Sequence, residues 1–177
     1  VTMASDLDED TEERWRTSDP PTERDAAAYA AILDLPLKCA NEVIFVDPYF
    51  NVSDPGLLNV FVELLKKIFC NSRRQAVPKV GVHVKNRWIG KMCISDHLRK
   101  NLWKYIPPGR VVRVWVWDEV ADSGEKLHNR YILTNRGGVS FGIGLQENDS
   151  EGGGGSDDLA RLRGDQYRKR WQDYLGA

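Results

Sequence analysis

Apolar positions along the chain follow two rhythms, and each predicts an element. Glu42-Val-Ile-Phe-Val46 is a continuous apolar run, as in a strand buried on both faces. Val77 to Val84 alternates, with Val80, Val82 and Val84 set against Lys79, Gly81 and His83. Arg110 to Asp118 alternates most clearly. Val112, Val114 and Val116 take one face; Arg113, Trp115 and Trp117 take the other, where a helix would ordinarily cover the tryptophans. Tyr131 to Thr134 and Val139 to Gly142 flank Asn135-Arg-Gly-Gly138, an Asn/Gly turn that predicts an antiparallel hairpin.

Helical spacing fills the intervals. Thr22 is expected to cap a first helix carrying Tyr29, Ile32 and Leu33, with an end or kink near Pro36. Asp54-Pro55 opens a second, in which Leu57, Leu58, Phe61, Leu64, Leu65 and Ile68 form one apolar stripe. Ser95 or Asp96 caps a third, running to about Tyr105. A last helix, from Asp157 or Asp165 to Leu175, carries Tyr167, Trp171 and Tyr174 opposite Arg161, Arg163, Arg168, Lys169 and Arg170. Strands alternating with helices predict an α/β protein, a mixed β-sheet flanked by helices. Its 177 residues suit a single domain. Val1 to Pro21 reads as an acidic flexible lead-in to a domain spanning 22–177. Residues 146–158 read as a flexible Gly-rich loop, and Gly152-Gly-Gly-Gly-Ser156 is identical to a widely used flexible linker.

Charge changes the picture. The net charge of −1 conceals segregation. Lys66 to Arg113 holds thirteen basic residues and one acid, a net of +12, and Val1 to Asp25 a net of −6. These are either solvated faces that meet in the fold or a surface for a polyanion, nucleic acid or an anionic lipid headgroup. Cys39, Cys70 and Cys93 are odd in number and lack CxxC pairing. Reduced thiols in a cytoplasmic setting are expected, with Cys39 and Cys70 in the core. No Cys/His cluster has metal-ligand spacing, so neither metal nor cofactor is expected. No apolar run approaches the length of a membrane span, and no secretory signal is visible.

Candidate chemistry centres on the hairpin. His128 and Arg130 lie two apart at the mouth of its first strand, so a strand's period would put both side chains on one face, suited to a phosphate. Asp47, at the C-terminal end of the first apolar strand, is a site candidate and equally a turn-forming Asp before Pro48. His83-Val-Lys85 repeats the His-x-basic spacing by chance, since Gly90 stands where an acid would follow.

His128, Arg130, Asn135 and the glycines Gly137, Gly138, Gly142 and Gly144 resemble the phospholipase D superfamily, whose motif is His-x-Lys, four residues, Asp and a Gly-rich strand. Arg130 stands for the Lys and Asn135 for the Asp. Asp47-Pro-Tyr49 and Gly142-Ile-Gly-Leu145 are more similar to the phospholipase-D-like C-terminal domain of MIT-domain proteins and its bacterial relatives. The resemblance implies a phospholipase D-like fold with His128, Arg130 and Asn135 at the catalytic positions. It implies phosphate contacts from Arg130, Gly142, Gly144 and Asp47, and a homodimer that brings two lone motifs together. Three functions remain open. They are a degenerate phosphate-recognising module within a larger assembly of subunits, an active metal-independent phosphodiesterase or nuclease with His128 as nucleophile, and a purely structural interaction domain.

Overall fold

The computed structural model describes residues 22–70, 77–118, 127–142, 144–145 and 156–175. The acidic lead-in, most of the Gly-rich loop and the polar connection before the hairpin lie outside them. Among the described residues, six strands form one mixed sheet: β2 (Glu42–Val46), β3 (Lys79–Lys85), β6 (Val112–Trp117), β7 (Arg130–Thr134), β8 (Gly137–Phe141) and β10 (Leu159–Arg161). Their order is β10-β8-β7-β2-β3-β6. β2, β3 and β6 run parallel, with Val46 beside His83 and His83 beside Trp115. β7 is antiparallel to β2, and β8 and β10 continue antiparallel to the edge.

The parallel strands read as expected because helices connect and cover them. α3 (Pro55–Phe69) links β2 to β3. Asp54 caps it, its Oδ1 accepting from the Leu57 amide at 3.1 Å. α4 (Ile94–Asn101) and the 3-10 turn Leu102–Tyr105 link β3 to β6. α1 (Ala26–Ile32) and α2 (Asp34–Cys39) precede β2, and α5 (Gly164–Leu175) closes the chain.

Several boundaries differ from expectation, each for a local reason. The α1 cap is Asp25, whose Oδ1 accepts from Ala27 and Ala28 at 2.7 and 2.9 Å. Thr22–Glu23 instead form β1, paired with β9 (Ser156–Asp157). Pro36 sits in the first turn of α2, where a missing amide proton costs nothing, and the break falls earlier at Leu33. Between β3 and α4 the chain makes an unforeseen two-stranded hairpin, β4 (Trp88–Ile89) with β5 (Met92–Cys93), so Cys93 takes the cap position expected of Ser95 or Asp96. Residues 159–161 pair with β8, which defers α5 to Gly164. Cys39 and Cys70 are exposed rather than in the core, since both fall at helix ends.

Candidate functional site

The C-terminal ends of β2 and β3 and the start of β7 meet at one edge of the sheet. Asp47 follows β2 directly, its amide donating to the His83 carbonyl at 3.0 Å. The segment then turns through Pro48 and Tyr49, and the Tyr49 amide donates to Asp47 Oδ1 at 2.8 Å. The turn-forming reading of Asp47 therefore holds. It does not exhaust the residue, because Arg130 Nε lies 3.5 Å from Asp47 Oδ1. Burial pushes the Asp47 carboxyl above its ordinary range, against the lowering effects of the Tyr49 amide and of the Arg130 and Arg87 charges.

Arg130 is held from several sides. Its Nη1 donates to the Gly142 carbonyl at 3.3 Å, and its guanidinium lies 5.1 Å from the Tyr49 ring centroid. Gly144 is needed at its position twice over. Its φ is +113°, and a Cβ there would stand 3.1 Å from Arg130 Cδ and Nε. Gly142 and Gly144 thus serve Arg130 through a carbonyl and through open space.

Arg87 enters the same site from just beyond β3. Its Nη2 donates to the carbonyls of Tyr49 and Phe50, its guanidinium lies 5.9 Å from the Tyr49 ring, and its buried Nε has no partner among the described residues. Arg87, Arg130, Asp47, Tyr49, Asn51 and Gly144 line a cavity of about 210 Å³. Spacing along the chain did not reveal Arg87. The usable signal was its place just past a parallel strand's C-terminal end, the argument that picked out Asp47.

Two expected members are elsewhere. β7 begins at Arg130, so the period-two argument does not extend back to His128. His128 is exposed, does not line the cavity, and among the described residues makes no hydrogen bond or ring contact. Asn135 lies past the far end of β7, roughly 16 Å from Arg130 by the rise of a strand. Its Oδ1 accepts from the amides of Asn41 (2.9 Å) and Glu42 (3.4 Å), and its own amide donates to the Glu42 carbonyl. Asn135 fastens the hairpin turn to the start of β2 and cannot orient a ring at the Arg130 end.

The other histidines are buried. His83 accepts at Nδ1 from Trp117 Nε1 (2.9 Å) and stacks on Trp115, with Tyr174 edge-on. Burial lowers its pKa to about 4, so the ring is neutral, and its Nε2 has no partner among the described residues. The chance reading of His83-Val-Lys85 fits this placement. His97, buried on α4, lies 3.2 Å through Nε2 from Ser53 Oγ. Burial first, then the Arg87 charge, lowers its pKa. Among the described residues no group of His, Cys, Asp and Glu is arranged to hold a metal, and no helix is long and apolar enough to cross a membrane. Comparisons with protein-family models, with curated proteins and with solved structures find no match.

Proposed function

We propose that the chain is a phospholipase D-like domain that has kept phosphate recognition and lost most of the means of turnover, working as a homodimer within a larger assembly. One observation carries the reading. Two guanidiniums, Arg87 and Arg130, converge on the Tyr49 ring in a cavity of about 210 Å³, and one of them buries an unmet N–H. A guanidinium fork matches the oxygens of a phosphate, to which its N–H groups donate. Asp54 also lines the cavity, its Oδ1 accepting from the Leu57 amide, and Asp47 opposes the ligand while ionised. Its raised pKa lessens that opposition, and a ligand's negative charge would raise it further.

Turnover is the weaker reading, because a nucleophilic imidazole must be aimed. His128 is exposed, and the residue expected to orient it is at the other end of the strand. The test titrates dimethyl phosphate, whose charge is constant from pH 5 to 8. Arg130→Gln should weaken binding about tenfold or more, the scale of a charge-assisted hydrogen bond. Asp47→Asn keeps an acceptor for the Tyr49 amide and should tighten binding while flattening its pH dependence. Equal binding by all three proteins would sink the proposal. Hydrolysis of a phosphodiester in EDTA that vanishes in His128→Ala would replace it with the enzyme. A single monomeric species in sedimentation at micromolar concentration would remove the homodimer.

A further inference from the structure

Arg130 lines a second opening. A groove of about 530 Å³ runs between α5 and the β7–β8 pair, lined by Asn129, Arg130, Ser140, Gln166, Lys169 and Arg170 among others. Three of its lining residues are cationic and none is acidic. Arg170 is fixed in place, 3.2 Å from Asp173 and with its guanidinium 5.6 Å from the Tyr131 ring centroid. Asp173 thereby offsets Arg170, and Asp47, 3.5 Å from Arg130, offsets that charge while ionised, so Lys169 supplies the uncompensated charge of a groove whose lining holds no acid. We propose that this groove is a second anion subsite, and that the ligand is a single-stranded nucleic acid whose backbone crosses Arg130 from the one site to the other.

The inference rests on the phosphate reading and adds the class of ligand. A lone phosphate would occupy only the cavity beside Tyr49. Because the two openings share Arg130, a ligand that repeats its charge along a flexible chain can satisfy both. Aromatic surface lines the first site at Tyr49 and is exposed one residue along the chain from Arg87. Tyr49 is 48% exposed, and Trp88, next to Arg87, is 72% exposed. Cationic grooves interrupted by exposed rings suit single strands, whose phosphates follow the charge while bases stack on the rings. A lipid surface fits less well, because the subsite is recessed between a helix and a sheet and a bilayer presents its headgroups in a plane.

The experiment measures fluorescence anisotropy of a labelled single-stranded oligonucleotide of about ten nucleotides at several salt concentrations, for the wild type, Lys169→Glu and Trp88→Ala. Lys169 is exposed, and circular dichroism checks that the variants fold. Lys169→Glu should weaken oligonucleotide binding about tenfold and flatten the salt dependence, since fewer counterions are released. Trp88→Ala should weaken it several-fold through lost stacking, roughly as base–aromatic contacts do elsewhere. Dimethyl phosphate should bind wild type and Lys169→Glu alike. Oligonucleotide binding unchanged in Lys169→Glu would overturn the subsite while leaving the phosphate site standing. Loss of dimethyl phosphate binding in Lys169→Glu would overturn the division into two subsites. Preference for anionic vesicles over the oligonucleotide would overturn the nucleic-acid assignment.

Discussion

The two faces of the central sheet are finished differently. On one, Val43, Phe45, Val80, Val82, Val84 and Ile132 meet α1 to α4 in a single apolar cluster. On the other, Ile44, Val46, Tyr131 and Leu133 meet Tyr174, the half-buried rings of α5, Leu127 and Leu162, and His83 and two tryptophans join the layer. A groove of about 690 Å³ stays open there, lined by residues including Gly81, Arg113, Trp115 and Leu175. The first face is built to hold the fold. The second tolerates polar groups and recesses because less of the molecule's stability rests on it.

The sharpest test of that division is truncation on each side. Phe61 is fully buried and meets Phe45 and Phe50 edge-on at 5.1 and 4.8 Å between centroids. Phe61→Ala should cost about 3–5 kcal/mol in chemical denaturation. Tyr174→Ala, beside the open groove, should cost about half as much, since its surroundings can relax and water can enter. Equal losses would break the comparison.

Acid should act on the second face. The ordinary His pKa of 6.5 falls to about 4 for His83 in the folded state, through burial. Between these values the unfolded chain holds more protons than the folded one, so stability rises with pH across that window and is lost as pH falls through it. The loss attributable to His83 is at most about 3 kcal/mol. His97 has the same sign; the raised Asp47 has the opposite one. Denaturation midpoints measured from pH 4 to 7 should fall toward acid in the wild type and much less in His83→Leu. Parallel curves would remove His83 as the cause.

Gly81 supports the same layer. A Cβ there would come within 2.7 Å of Trp115 Cζ3, closer than the ring can accept without moving off its stack on His83. Gly81→Val should cost about 1–3 kcal/mol, as overpacking does. A changed tryptophan near-ultraviolet circular dichroism signal would locate the damage at the ring. An unchanged signal would place it elsewhere.

The sequence resolved these faces unequally. The continuous run of β2 and the stripe of α3 were legible because burial on both faces and helical spacing leave strong periodic patterns. The alternation of β6 correctly put Trp115 and Trp117 on one side. Nothing local foretold that His83 from β3 would touch both tryptophans and Tyr174, since that depends on the register of parallel strands distant in sequence. At the site, Asp47, Arg130, Gly142 and Gly144 do meet. Arg87 was missed because no motif contains it. The roles expected of His128 and Asn135 came from the motif resemblance, although the hairpin reading already placed the two residues at opposite ends of β7.

Asn135 gives the smallest predicted effect and the most direct check on that lesson. If the seven-residue spacing encoded a chemical role, Asn135→Asp would restore the motif's anion and change behaviour at Arg130. The geometry predicts otherwise. Oδ1 of an aspartate can accept from Asn41 and Glu42 as the amide oxygen does now, so the turn stays fastened. The new charge lies about a strand's length, roughly 16 Å, from the guanidinium, beyond the screening distance at physiological salt. Stability should therefore shift by less than about 0.5 kcal/mol, the usual range for an exposed site. Dimethyl phosphate affinity should not move. Asn135→Ala, which strips the acceptor from two backbone amides, should cost about 1–2 kcal/mol, still without touching anion binding. A change in phosphate affinity in Asn135→Asp, with stability held, would return the residue to the site and undo the separation of the hairpin's two ends.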